Sequence, residues 1–147
     1  MWVVTFYHNE DAQESIIVRV ANEGDTQYAE LISDEMEASA KARGTGIAKR
    51  TPEYIATKME EGKAVIALTA EGVWVGFCYI EVWSHEEFVA NSGLIVSPDF
   101  RKTGVATQIK RRIFNLSQEK YPEAKIFGLT TGLAVMKMNS DLGYVPV

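Results

Sequence analysis

The sequence predicts one α/β domain, and three observations carry that expectation. At 147 residues the chain has the length of a single domain and enough of it to bury a core. Hydrophobic residues make up 46% and charged residues 24%, an ordinary globular balance. Short apolar runs rich in β-branched and aromatic residues are interleaved with segments whose apolar residues recur every three or four positions, the patterns of strands and helices respectively. No repeat, low-complexity segment or interdomain linker interrupts the order.

Residues 2–7, Trp-Val-Val-Thr-Phe-Tyr, read as a strand by composition. Polar residues 8–14 read as a turn or loop, and Ile16 to Val20 as a second strand. Asp25 is placed to cap a helix that carries Tyr28, Leu31, Ile32 and Met36 on one face and ends near Arg43-Gly44. Thr51-Pro52 starts a second helix, with threonine at the cap and proline at the first helical position. Tyr54, Ile55 and Met59 form its apolar face, and Gly62 stops it. Residues 63–69 and 73–83 are strands joined at Glu71-Gly72, a hairpin signal, and residues 87–96 are the next strand. A helix from about 104 to 120 gathers Val105, Ile109, Ile113 and Leu116 on one face and leaves Gln108, Lys110, Arg111 and Asn115 largely elsewhere. Pro122 breaks that pattern. Residues 125–131 follow as a strand and 132–142 as a helix stopped by Gly143, with a last strand beginning at Tyr144.

Composition narrows the function. No apolar run approaches the length of a membrane span. The N-terminus lacks the basic region, apolar core and small-residue cleavage site of a secretory signal. Cys78 is the single cysteine, so no internal disulfide forms, and it lies in an apolar strand as a small buried hydrophobe. With two distant histidines, His8 and His85, it makes no ligand cluster for structural zinc, and no metal is expected. A net charge of −5 argues against a general nucleic-acid binder. A cytoplasmic enzyme fits these bounds.

The most informative stretch runs from Leu94 to Ala106. A short apolar strand, Leu94-Ile95-Val96, ends in a turn at Pro98; Arg101 follows, then Gly104 and Ala106, and the helical pattern starts at Val105. The first turn of a helix leaves backbone N–H groups unpaired and carries partial positive charge from the helix dipole. Gly104 has no side chain and lets a bulky anion approach the backbone, and Ala106 keeps the next position small. A diphosphate suits this geometry.

This stretch resembles the acyl-CoA loop of the GCN5-related N-acetyltransferase (GNAT) family, whose signature is Arg or Gln, two residues, Gly, one residue, then Gly or Ala, opening a helix after a central strand. Here it reads Arg101-Lys102-Thr103-Gly104-Val105-Ala106. The preceding strand and the amphipathic helix behind it give the short pattern its specificity. The order of elements also matches the family core from about residue 15 onward. The resemblance implies a mixed, mostly antiparallel sheet flanked by helices and splayed between its fourth and fifth strands, here 87–96 and 125–131, with the pantetheine of acyl-CoA in the gap. The chain ends at Val147 as a sixth strand begins, so the family's C-terminal strands are expected to be missing. Either the chain is truncated or another segment supplies them. Residues 2–7 either play that part, within the chain or in a homodimer, or extend the first strand as a hairpin.

The resemblance also implies the chemistry: an acceptor amine attacks the thioester of acetyl-CoA, or another short acyl-CoA, directly. It assigns the pantetheine and the thioester oxygen to backbone N–H groups around Ile95 and Val96, as an oxyanion site requires, and the diphosphate to Arg101, Lys102, Thr103, Gly104, Val105 and Ala106, with Thr107 adjacent. Many members carry an acidic tyrosine four residues before the glycine of a Gly-Phe pair. Here the pair is Gly143-Tyr144 and the matching position is Asn139, which has no acidic proton at neutral pH and is either a catalytic amide that hydrogen-bonds the sulfur or a water, or a helix-surface amide. The family often places a glutamate on the fourth strand, where this sequence has Ala90-Asn91-Ser92. Glu81, at the end of the strand 73–83, points toward the same cleft if side chains alternate, and is the candidate base through a water, ahead of His85 and the turn residues Glu86 and Glu87.

Lys41 to Arg50 places four cations and two glycines between the first two helices of an acidic protein. The resemblance puts that loop over the acceptor pocket, where Arg43, Lys49 and Arg50 suit a carboxylate-bearing acceptor. Leu129-Thr130-Thr131 and Gly143-Tyr144-x-Pro146-Val147 are similar to the end of the acetyltransferase domain of bacterial N-acetylglutamate synthases, which points to an amino acid such as glutamate. A protein amine as acceptor and a catalytically silent acyl-CoA-binding module remain the alternatives.

Overall fold

A computed structural model describes residues 2–9, 12–44, 50–83 and 85–128. Among them, six strands form one sheet in the order β1-β2-β3-β4-β5-β6. They are β1 (Trp2–Asn9), β2 (Ala12–Val20), β3 (Ala64–Thr69), β4 (Trp74–Trp83), β5 (Phe88–Val96) and β6 (Lys125–Gly128). Neighbours are antiparallel except β5 and β6, which are parallel, so the sheet is mixed and mostly antiparallel as expected. Three helices flank it: α1 (Ala29–Arg43), α2 (Pro52–Glu60) and α3 (Val105–Lys120), the last crossing from β5 to β6.

The two sheet faces carry two cores. On one, Val105, Ile109, Ile113 and Leu116 of α3 are all buried against Ile16, Val18, Val65, Val75, Ile80 and Val89. Each such side chain contributes about 1.5–3 kcal/mol. On the other, Ile32 of α1 and Ile55 and Met59 of α2 pack on Ile66, Trp74, Phe77, Tyr79 and Ile95. Helix ends follow local chemistry. The Thr51 hydroxyl accepts the Tyr54 N–H at 3.1 Å with Pro52 in the first turn, and Gly44 ends α1 at φ 65°.

Four local expectations are corrected. Residues 8–14 are not a loop: β1 reaches Asn9 and β2 starts at Ala12, so residues 2–7 belong to a hairpin that extends the sheet edge beside β2. Asp25 does not cap a helix; Asn22 does, and Asp25 is the third residue of a 3-10 helix, Glu23–Tyr28, that precedes α1. Its carboxylate closes a capping box on the Asn22 N–H and takes a two-pronged bond from Arg19, both at 2.7 Å, which draws it inward. Leu31 is 51% exposed rather than part of the α1 core face. Lys110 lies on the buried side of α3, fully covered, with Nζ donating to the Asn91 carbonyl at 3.4 Å. The expected strand beyond Gly128, the helix over 132–142, its stop at Gly143 and the strand from Tyr144 lie outside the described residues.

Candidate active site

The site is built on an irregularity in β5. Phe77 pairs with Ile95, yet Tyr79 pairs with Ser92, so β5 spends one residue more than β4 across this step. That is a β-bulge at Gly93-Leu94. Gly93 has φ 67°, and a Cβ there would overlap the Tyr79 ring. Only glycine meets both demands cheaply. The Ser97 N–H bonds the Val75 carbonyl at 2.8 Å, which makes Phe77 and Ile95 a bonded pair and Gly76 and Val96 a non-bonded one. The backbone groups of Val96 therefore point away from β4, whereas those of Ile95 are directed at Phe77. On its other side β5 pairs in parallel with β6 from Phe88 to Asn91, and the expected splay between these strands lies outside the described residues.

Beyond Val96 the chain makes one 3-10 turn, Pro98–Phe100, then Arg101 to Gly104, and enters α3. Gly104 is the N-cap at φ 88° and has no side chain to cap the helix, and the Val105 N–H makes only a long contact, 3.5 Å, to the Thr103 hydroxyl. The Thr103 hydroxyl donates to the Phe100 carbonyl and so rigidifies the approach, and Lys102 adopts φ 64°. The side chain of Val105 is core, so only its backbone is available to a ligand; Ala106 and Thr107 are half-buried on the first turn. An uncapped helix start at a glycine with left-handed geometry fits a diphosphate. The Arg101 side chain is exposed, with Nε on the Val96 carbonyl at 3.3 Å and Nη2 on Glu35 of α1 at 3.1 Å.

A second cluster is formed by side chains of α2, of Arg50 two residues before it, and of β4. Arg50 donates Nε–H to the Tyr79 hydroxyl at 2.7 Å and lies over the Tyr54 ring, and its own carbonyl accepts from Ser33 of α1 at 2.6 Å. Lys58 sits over the rings of Tyr54 and Tyr79 and spends its best bond on the Ile80 carbonyl at 2.8 Å. Glu81 lies 3.5 Å from Lys58, its side chain 19% exposed, and its buried Oε1 makes no hydrogen bond. Burial lifts the Glu81 carboxyl above its ordinary range and outweighs the pull of Arg50.

Of the expected acceptor-side residues, Arg50 is therefore beside Glu81's cluster. The side chain of Arg43, all of Lys49 and all of Asn139 lie outside the described residues. His85, at φ 54°, sits with Glu86 and Glu87 in the exposed β4–β5 turn, as expected of a surface turn. Gly93, Tyr79, Lys58 and Glu35 were not foreseen. A glycine inside a strand pattern is the one signal that marks the first; Tyr79 follows from Glu81 by alternation. Cys78 is buried, its thiol pushed up to about 11 by that burial, and inert. Among the described residues no group of three or more His, Cys, Asp or Glu is placed to hold a metal, and no helix is long and apolar enough to cross a membrane.

No protein-family model and no curated protein matches the sequence. Solved structures do match in shape. An acetyltransferase of the GNAT family from Listeria monocytogenes is 15% identical, with a TM-score of 0.68 over 97% of this chain and 90% of that one. A Mycobacterium tuberculosis protein solved with CoA is 15% identical, with a TM-score of 0.66 over 89% of this chain and 72% of that one. N-acetylglutamate synthase from Neisseria gonorrhoeae, solved with coenzyme A and N-acetyl-glutamate, is 16% identical, with a TM-score of 0.64 over 85% of this chain. This chain spans 27% of that synthase. The chain thus has the GNAT fold.

Proposed function

We propose that this protein is an acyl-CoA-dependent N-acyltransferase that moves an acetyl or other short acyl group to the amine of a small acceptor bearing a carboxylate, with an amino acid such as glutamate the leading candidate. The observation that carries the reading is the pairing, within one strand–loop–helix, of a bulged β5 with the uncapped start of α3 at Gly104. The bulge supports a fixed backbone donor at Val96 for the thioester oxygen, where preorganised donors act on developing charge. The helix start supports the diphosphate, with Arg101 exchanging Glu35 for phosphate. The bound N-acetyl-glutamate of the gonococcal synthase agrees with an amino-acid acceptor. Thiol release from acetyl-CoA with a panel of amino acids tests the reading; acetyl-CoA binding without release would reduce the protein to a binding module.

Arg50 suits the acceptor carboxylate. Its Nε is taken by Tyr79, which leaves the two Nη groups as an end-on fork beside Glu81. A charge-assisted bond is worth about 1.5–3 kcal/mol, so Arg50→Ala should raise KM for the charged acceptor by roughly ten- to a hundredfold. Steady-state kinetics on an amino acid and its amide check this: the variant should lose the preference for the charged form, with acetyl-CoA affinity kept.

Glu81 suits the general base, acting on the acceptor amine directly or through one water. A base works deprotonated, so kcat should rise with pH through the lifted Glu81 pKa, above the usual carboxylate value. Glu81→Gln should cost roughly 10²-fold or more in kcat and remove that acid limb. The stability sign is opposite. A carboxyl with a raised folded pKa stabilises the fold in its protonated form, and that contribution is lost as pH rises through the folded pKa. The neutral glutamine should therefore leave the melting temperature at pH 7 unchanged or slightly higher, measured by calorimetry beside the pH–rate profile.

A further inference from the structure

We infer that Tyr79 is the group that gives a proton to the leaving thiolate, an inference that rests on the acyltransferase reading. A thioester expels a thiolate, and Asn139, at the position where the resemblance expects an acid, has no proton to give. Tyr79 has one, and three observations place it for the task. It projects from β4 on the face that carries Glu81 two residues on, so acid and base share one wall. Its ring lies against Gly93, so the phenol sits at the bulge that precedes the Val96 backbone. Its oxygen accepts the Arg50 Nε–H at 2.7 Å, and among the described residues no acceptor takes its own proton.

Arg50 fixes the phenol in place through its Nε–H. Arg50 is itself held by Ser33 of α1 on its carbonyl and by the Tyr54 ring under its guanidinium, so the contact is set before substrate arrives. Tyr79 is 1% exposed, packed by Tyr54 and Phe77, and the cation of Lys58 stands 5.8 Å from its ring. The charged groups that face the phenol are thus Arg50, Lys58 and, one pleat along the strand, Glu81.

The step balances. The amine lone pair forms the N–C bond, the C–S pair passes to sulfur, and the Tyr79 O–H breaks as S–H forms. The amine proton goes to Glu81 and returns through water to the phenolate, so amine and thioester become amide and thiol with both side chains restored.

Tyr79→Phe keeps the ring on Gly93 and deletes only the hydroxyl. With acetyl-CoA and an amino acid that supports thiol release by the wild type, kcat should fall by roughly 10²-fold or more. Acetyl-CoA affinity by calorimetry should stay unchanged. A kcat within about threefold of wild type, or a fall in kcat matched by lost acetyl-CoA affinity, would overturn the assignment and leave the acyltransferase reading standing. No thiol release from the wild type would overturn that reading, and this inference with it.

Discussion

Gly93→Ala is expected to lower the melting temperature by about 6–20 °C and to cripple transfer in whatever fraction stays folded. Two costs add at this position. The added Cβ overlaps the Tyr79 ring, and overpacking a dense core costs about 1–3 kcal/mol. The backbone also sits at φ 67°, where a non-glycine residue pays about 1–2 kcal/mol. For a domain of this size each kcal/mol moves the midpoint by about 3–4 °C. The ring cannot yield freely, because Tyr54, Phe77 and the Arg50 bond hold it. Scanning calorimetry checks the prediction, and a shift under about 2 °C would mean that the bulge relaxes without cost. The functional loss follows from the same geometry: displacing the ring moves the phenol, and straightening the bulge turns the Val96 backbone.

Gly104→Val is expected to weaken acetyl-CoA binding by roughly a hundredfold while leaving the fold intact. Gly104 is the N-cap of α3 at φ 88°. A β-branched residue held in a sparsely populated region costs about 1–3 kcal/mol, and relief by rotating the cap turns the first N–H groups of the helix away from the diphosphate. Losing one or two charge-assisted bonds of about 1.5–3 kcal/mol each gives the stated factor. Gly104 is exposed and contributes nothing to either core, so circular-dichroism melting should stay cooperative, with the midpoint lowered by about 3–12 °C from the backbone strain alone. Calorimetry with acetyl-CoA decides: wild-type affinity in the folded variant would remove the diphosphate role of the α3 start.

These two glycines show what a sequence discloses and what it withholds. Gly104 was legible because its meaning is local. A strand, a proline turn, a glycine and a periodic helix follow one another in thirteen residues, and α3 buries the four side chains that its spacing selects. Gly93 was not, because its constraint is the ring of Tyr79 on the neighbouring strand, and cross-strand registry is not written in either strand alone. The same distinction separates the other outcomes. Thr51-Pro52 and Gly44 behave as their chemistry dictates. Asp25 departs because Arg19, six residues earlier, offers a better partner than a helix end, and Asn22 takes the cap. Lys110 reads as a surface cation by composition, yet the α3 face is broad enough to bury it beside Asn91. The hairpin of β1 with β2 was one of two open placements, since pairing partners far apart in sequence are equivalent until the sheet is seen.

The candidate site divides in the same way. Arg101 to Ala106 lies on one continuous segment and reads as a unit. Glu81 follows from alternation along β4. Arg50, Tyr54, Lys58 and Tyr79 meet only because α2 docks on the face of the sheet that β4 presents. No periodicity in either element announces that meeting. Lys58 in particular is not marked by the apolar spacing of α2, yet burial depresses its ammonium and its charge is directed at Tyr54, Tyr79 and Glu81.

Mass spectrometry of the products formed from acetyl-CoA and a mixture of amino acids, with glutamate among them, tests the central claim most directly. The account predicts free CoA and, in equal amount, one or more amino acids heavier by a single acetyl group on nitrogen, with carboxylate-bearing acceptors preferred to their amides and the yield collapsing in Gly104→Val. Acetyl-CoA returned intact, or CoA released with no acetylated amine of any kind, would contradict it.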